Sequence, residues 1–437
     1  MSDFMKMGAS DRYFYYTMTG RSTLNERVIL SFKEDFDLDI MKKSADEALK
    51  LIPEYNKRII IYNGRPEAVK GTGNIAFIPD VEDKIVRLGS DETNGLLFFF
   101  RYKGKKLTFS TFHGLTDAYG MKFFIKIMLY IYMKKKGIAV TPEEDEFIPD
   151  IIKARENYDE DDILAPYEKY GDSSLSYDFH YDSSEIFAIL EKAYDEECNY
   201  VHLCNVEASV SDLKAVRNQF GKSYLPFLVD VVSQSVAKTF NSGDKPIVVM
   251  SAVDQRISFS SKSLANCSDS IFFPYTAELQ KKDMKARYEE LYSIMKQQLT
   301  SQTHRKMAGD KVLAVRELEK SSEGVISIAK KLEKLPTADN FNPMTYILSF
   351  LGDQSVGKTA DKLLDDVISF AYGRGGKFLL VSYFGDKMQL RLVNQNDSNA
   401  FAQGIATELL KRGINAKITE DRKLYGDQLQ YEAIEKI

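Results

Sequence analysis

The chain is poor in cysteine and histidine. Its three cysteines, Cys198, Cys204 and Cys267, are odd in number and fit no C-x-x-C spacing. That excludes a disulfide framework and a paired redox centre, and points to reduced thiols. The four histidines, His113, His180, His202 and His304, include no pair at zinc-ligand spacing, so no metal is expected. Also missing is the run of ~20 apolar residues that a bilayer-spanning helix needs. The longest apolar stretch, residues 118–133, is broken by Lys122 and Lys126. The opening MSDFMKMGASDRYF lacks the continuous apolar segment of a secretory signal. Excess positive charge is absent too, since 59 Lys and Arg against 64 Asp and Glu leave a net charge of −5. This excludes an electrostatic nucleic-acid binder and adhesion to an anionic membrane. The expectation is a cytoplasmic protein with no nucleic-acid partner and no stable membrane insertion.

What is present suffices for large cores. The 437 residues are 44% hydrophobic and 28% charged, which suggests two domains of ordinary surface polarity. Residues 27–33 have strand character. Residues 37–52 place Leu38, Met41, Ala45, Ala48, Leu49 and Ile52 on one helical stripe, with Asp37 as its cap and Pro53 as its stop. Residues 57–69 read as two strands about an Asn-Gly turn, and residues 95–112 as a hairpin turning at Lys103-Gly104. Acidic residues and prolines mark 138–182 as a solvated linker. The same grammar then restarts: strands at 199–209, 245–256 and 270–279, helices at 212–220 and 223–240, and helical sequence to about 333. The tail predicts a strand at TYILSFLG, a hairpin at Gly385-Asp386 and a helix over 398–412. The fold class is therefore α/β with mixed, hairpin-containing sheets, divided into domains 1–175 and 176–437.

Two short motifs carry chemistry. GDQSVGKT at 352–359 matches the G-x-x-x-x-G-K-T of a phosphate-cradling loop, with Lys358 and Thr359 in the phosphate and magnesium positions. Its context is wrong: after Thr359 the chain reads mainly as hairpin strands and one helix, not as successive βα units. It is expected to be an exposed loop. The second motif lies in LTFSTFHGLTDAYG, where His113 ends a strand and Asp117 precedes an apolar helix. A base held at a rigid strand end beside a carboxylate suits proton abstraction from an acceptor. Gly114 and Gly120 permit tight backbone there, and Thr116 or Asp117 can cap the helix.

This H-x-x-x-D segment, with a hairpin before it and an apolar helix after it, resembles the active-site stretch of the chloramphenicol acetyltransferase-like and condensation-domain superfamily. The pattern is closest to bacterial alcohol acyltransferase-like members. SAVDQRISFSSKSLANCSDSIFF (251–273) is similar to the family's V-D-x-R segment and its following strand entry, and TYILSFLG to its S-N-L-G strand end. Three positions depart from the pattern: Phe112 replaces the first of two histidines, Ala118 a glycine, and Phe350 an asparagine.

The resemblance implies two chloramphenicol acetyltransferase-like domains with an active-site tunnel between them. It implies acyl transfer from a thioester, acyl-CoA or acyl-carrier protein, to a small-molecule alcohol or amine, with no bound cofactor. His113 would be the general base. Asp117 would pair with an arginine, for which Arg58 and Arg256 are the candidates. Backbone near Gly114, or the Ser349 hydroxyl, would meet the oxyanion, and Tyr119, Asn266 and Ser349 would line the tunnel. A non-catalytic member of the fold, holding a ligand or a carrier protein, is the alternative.

Overall fold

The computed structural model describes residues 4–17, 25–81, 84–155, 164–177, 184–189, 200–320, 324–325, 328, 344–372, 378–394, 398–425 and 427–429. His180, Cys198 and the helical sequence expected from 329 to 333 lie outside the described residues. In chain order the first part gives β1 (Phe4–Met5), α1 (Ala9–Thr17), β2 (Asn25–Phe32), α2 (Leu38–Leu51), β3 (Lys57–Tyr62), β4 (Arg65–Lys70), β5 (Phe77–Pro79), β6 (Arg87–Leu88), β7 (Phe98–Lys103), β8 (Lys106–Phe112), α3 (Ala118–Lys135) and α4 (Pro142–Arg155). The second part gives α5 (Tyr167–Tyr170), β9 (Tyr200–Ser209), α6 (Val210–Arg217), α7 (Tyr224–Phe240), β10 (Ile247–Asp254), α8 (Arg256–Phe259), β11 (Ser268–Tyr275), α9 (Ala277–Lys281), α10 (Met284–Gln298) and α11 (Ser301–Lys320). The last elements are β12 (Tyr346–Asp353), α12 (Ala360–Leu363), β13 (Leu364–Tyr372), β14 (Phe378–Phe384), β15 (Lys387–Asn394), α13 (Ala400–Lys411), β16 (Ala416–Tyr425) and β17 (Gln428–Leu429).

Among the described residues, a five-stranded sheet runs β13-β2-β8-β7-β5 and a seven-stranded sheet runs β11-β10-β12-β14-β15-β9-β16. Both are mixed, with parallel pairs such as β5·β7 and β12·β14 beside antiparallel hairpins. The first sheet buries Phe98, Phe100 and Phe109 against Phe124 of α3 and the apolar stripe of α2. Asp37 caps α2 by accepting from the Ile40 N–H, as its position before the stripe predicts. The second sheet packs on α7, α10 and α13. Between the sheets, Val201, Leu203, Val393 and Leu424 meet Phe370, Ile29 and Ile368.

Three expectations change. ADKLLDD, which follows the GKT match and by its residues is a possible helix, holds only the single turn Ala360–Leu363 and then enters β13. That strand pairs antiparallel with β2, from Leu364↔Phe32 to Tyr372↔Asn25. Residues 364–372 thus sit in the sheet of the first 175 residues. The acidic stretch read as a linker contains α4, whose Glu144 accepts from Thr359 N at 2.8 Å and Thr359 Oγ1 at 2.5 Å. The nucleotide-like loop is therefore wrapped around a carboxylate of its own chain. Finally, β16 was absent from the sequence reading; it closes the second sheet beside β9.

Candidate active site

His113 follows the last residue of β8, and the chain then turns through Leu115 and Thr116 into α3. Asp117 is the cap of that helix, its Oδ1 accepting from the Gly120 N–H at 3.2 Å. Both carboxylate oxygens have further donors. Arg256 gives Nη2 to Oδ1 at 3.0 Å and brings Nη1 within 2.8 Å of Oδ2, and the Cys267 N–H donates to Oδ2 at 2.9 Å. Both side chains are buried. Burial alone would lower the Arg256 pKa, but Asp117 beside it holds the guanidinium firmly protonated. Arg256 also donates to the Ser263 and Ala265 carbonyls, and its guanidinium lies 4.6 Å above the ring of the exposed Tyr119. One ion pair thus ties the start of α3 to the loop between β10 and β11 of the second sheet.

Arg58 is not that partner. It lies on β3 in a separate small sheet, its Cδ against Gly95. Asn266 belongs to the joint: its Nδ2 donates to the His113 carbonyl at 2.7 Å, while its Oδ1 accepts from Ser268. Thr116 and Tyr55 bond one another at 2.6 Å, and both reach the Leu264 carbonyl. Gly120 is required there, because a Cβ would fall on Thr116 Oγ1, Tyr55 OH and the Leu264 carbonyl. A Cβ on Gly114 would strike the Phe112 ring. Ser349 is buried within β12, and no described hydrogen bond links it to His113.

The departures from the family pattern have local explanations. Phe112 is fully buried, packed edge-on to Tyr15 and under Gly114, so it fills core where a second histidine would need a polar partner. Ala118 opens α3 without positive φ, so no glycine is needed there. The Phe350 ring lies tilted against Tyr224, with centroids 5.5 Å apart.

Two neighbours of His113 escaped the sequence reading. The Phe14 ring of α1 meets the imidazole edge-on, with centroids 4.7 Å apart. Glu26 of β2 brings Oε1 to 3.1 Å from His113 Nδ1. This is an ion-pair distance, although Nδ1 does not meet the angular and proton-distance geometry of a full hydrogen bond. The strand register explains the approach. Glu26 pairs with Thr111, and His113 lies two residues beyond on the same face. Glu26 is therefore a diagonal cross-strand neighbour, a relation no local spacing reveals. Burial lowers the His113 pKa, but Glu26, then Asp117 and the Thr116 backbone, outweigh it and leave the pKa above its ordinary value.

Other clusters do not join this site. A depression of about 520 Å³, lined by Lys33, Asp353, Asp361, Asp365 and Tyr383 among others, includes Lys33 just past the far end of β2. His202, Cys204 and Asp421 gather on β9 and β16. The Cys204 sulfur is 3.7 and 3.8 Å from the two ring nitrogens of His202, and the Asp421 carboxylate is bonded to Nε2. A sulfur equidistant from both nitrogens lies off both lone-pair directions, so a metal on Nε2 would not reach it and the trio does not fit a metal centre.

The arrangement of two mixed sheets, the first completed by β13 from the carboxy-terminal part of the chain and tied to the second where Asn266 meets the His113 carbonyl, decides the architecture once it is compared with solved structures. TRI101 of F. graminearum, complexed with coenzyme A and T-2 mycotoxin, superposes with a TM-score of 0.60 at 11% identity, covering 93% of this chain and 98% of that one. This chain has the chloramphenicol acetyltransferase-like fold. The fold recurs in the polyketide synthase associated protein 5 of Mycobacterium tuberculosis, with a TM-score of 0.57, 14% identity and coverage of 94% and 97%. TRI3, a trichothecene 15-O-acetyltransferase of Fusarium sporotrichioides, gives 0.59 at 9% identity, with coverage of 93% and 94%. No family model and no curated protein sequence matches the chain. Among the described residues no helix is long and apolar enough to cross a membrane.

Proposed function

We propose that the protein is an acyltransferase that moves an acyl group from a thioester to a small-molecule alcohol or amine, with His113 as general base. The observation that carries this is the setting of the imidazole. It stands at a strand end on the joint between the sheets, with about 15% of the side chain exposed and an acidic partner at Nδ1. Nε2 is then the nitrogen left for an acceptor. It takes the proton as the acceptor oxygen or nitrogen attacks the thioester carbonyl. The C–S bond breaks as the tetrahedral intermediate collapses, and the imidazolium returns the proton to the leaving thiolate. Products are the acyl ester or amide and a free thiol.

Asp117 holds the loop and takes no proton, since both of its oxygens are already engaged by donors. Coenzyme A in the TRI101 complex supports acyl-CoA as donor, and the kinship in shape with a polyketide synthase associated protein supports an acyl-carrier protein. Both thioesters present the same carbonyl to His113.

The test is thiol release from a panel of acyl-CoAs and acyl-carrier thioesters with alcohol and amine acceptors. Turnover is expected, with a His113→Ala loss of ~100–10,000-fold at unchanged fold. Saturable binding without thiol release for any pair would replace this reading with a non-catalytic ligand- or carrier-binding protein.

A further inference from the structure

We propose that Glu26 is the positioning residue of the site, holding His113 in the tautomer with the proton on Nδ1 so that Nε2 faces the acceptor as the base; this rests on the acyl-transfer reading of His113. The argument starts from burial. Glu26 and His113 are about 13% and 15% exposed. A carboxylate placed there needs a positive or donating partner, because an uncompensated buried charge is costly. For Glu26 the described partner is His113 Nδ1, and its Oε2 is buried with no hydrogen bond among the described residues. The His113 carbonyl, a local alternative acceptor for Nδ1–H, has one lone pair engaged by Asn266 and is neutral, whereas Glu26 offers a charged acceptor, which makes the stronger bond. Phe14 packs on the ring and limits its tilt. A proton on Nδ1 is therefore directed to Glu26, and the neutral imidazole presents its lone pair at Nε2. The short but imperfectly aligned contact is of the kind that tightens when substrate closes a site.

The charges around the ring leave Glu26 in control. Asp117, on the same loop, is neutralised by Arg256. From α1 the facing group is the uncharged Phe14, and from the second sheet the Asn266 amide. Lys311 of α11 lies beyond Phe14, 5.7 Å from that ring, and is paired with Asp269 at 3.3 Å. Removing the Glu26 charge should therefore make the imidazolium easier to deprotonate and release the tautomer.

The experiment is nitrogen and carbon NMR of the full chain with labelled histidine. Four histidines give few signals, and His113→Gln assigns the relevant one. In the wild type, the neutral His113 is expected to carry its proton on Nδ1. In Glu26→Gln its midpoint should fall by roughly one unit. In the thiol-release assay, kcat at neutral pH should fall about tenfold or more with KM for the thioester unchanged, and Glu26→Asp should restore part of it. A wild-type proton on Nε2, or an unchanged midpoint and tautomer in Glu26→Gln, overturns the assignment. The wild-type spectrum decides even where that variant fails to fold. If the NMR behaves as expected but no thioester is ever consumed, the Glu26–His113 pairing stands and the acyl-transfer reading falls.

Discussion

Replacing Asp117 by asparagine isolates the ion pair that joins the two sheets. Asparagine caps a helix about as well as aspartate, so the bond to the Gly120 N–H survives and the cap contributes little to any loss. What disappears is the charge, and one acceptor oxygen becomes an NH2 facing existing donors. The Asp117 carboxylate has Arg256 contacts at 2.8 and 3.0 Å and the Cys267 N–H at 2.9 Å. Stripping one partner from a buried pair costs ~3–5 kcal/mol. Arg256 keeps Asp254 at 3.0 Å and two backbone carbonyls, so the low end, about 3 kcal/mol, is expected. With the halves joined by β13 and this ion pair, the 437 residues unfold as one unit, and at ~2.1 cal/mol/K per residue Tm should drop by roughly 3 °C. Differential scanning calorimetry and urea titration measure it. Combining Asp117→Asn with Arg256→Gln should give less than the sum of the singles by ~1–3 kcal/mol, whereas Arg58→Gln should add within ~0.5 kcal/mol. A loss under ~1 kcal/mol in Asp117→Asn, or strict additivity with Arg256, would refute the structural role argued for this carboxylate.

Other perturbations have equally definite outcomes. Glu408 is held down to about 2 from its ordinary 4.5: burial works against the shift, but Lys238, Lys411 and Arg412 overcome it. Its stabilisation is fully present above pH 4.5 and lost as pH falls towards 2. Glu408→Gln should therefore be less stable than the wild type at pH 7 in urea titration, with the gap closing below about pH 4; a gap constant with pH would contradict the ion network. Lys358→Ala should leave thiol release unchanged, and isothermal titration with magnesium and ATP or GTP should show no heat of binding. The loop's Thr359 donors already serve Glu144. Saturable nucleotide binding lost in that variant would reverse the conclusion.

The local frame of the candidate site was legible because its signal is local. A strand that ends in histidine and a helix capped four residues later are both readable from periodicity and capping chemistry, and the structure puts β8, Asp117 and α3 where that reading expects them. Arg256 was legible only as one of two arginines, since choosing between them needs the path of the loop that precedes β11. Glu26 was not legible at all. Its relation to His113 depends on the register of β2 against β8 across more than eighty residues of chain. The β13 strand was missed for a related reason. DKLLDD carries helix-favouring residues, and the pairing with β2 overrides that propensity.

The late place of β13 in the chain has a consequence for how the protein must be made. During synthesis β2 emerges early, but the strand that covers its flank follows roughly 330 residues later. At ~5–20 residues per second the ribosome needs roughly 20–70 s to deliver it. Throughout that interval the first sheet exposes the unpaired backbone of an apolar edge, the kind of surface on which nascent chains associate. The sheet of the amino-terminal half lacks its edge strand until β13 has been made. Its completion waits for the carboxy-terminal half, and a chaperone that shields β2 until β13 arrives would raise the yield of native protein more than one acting after release.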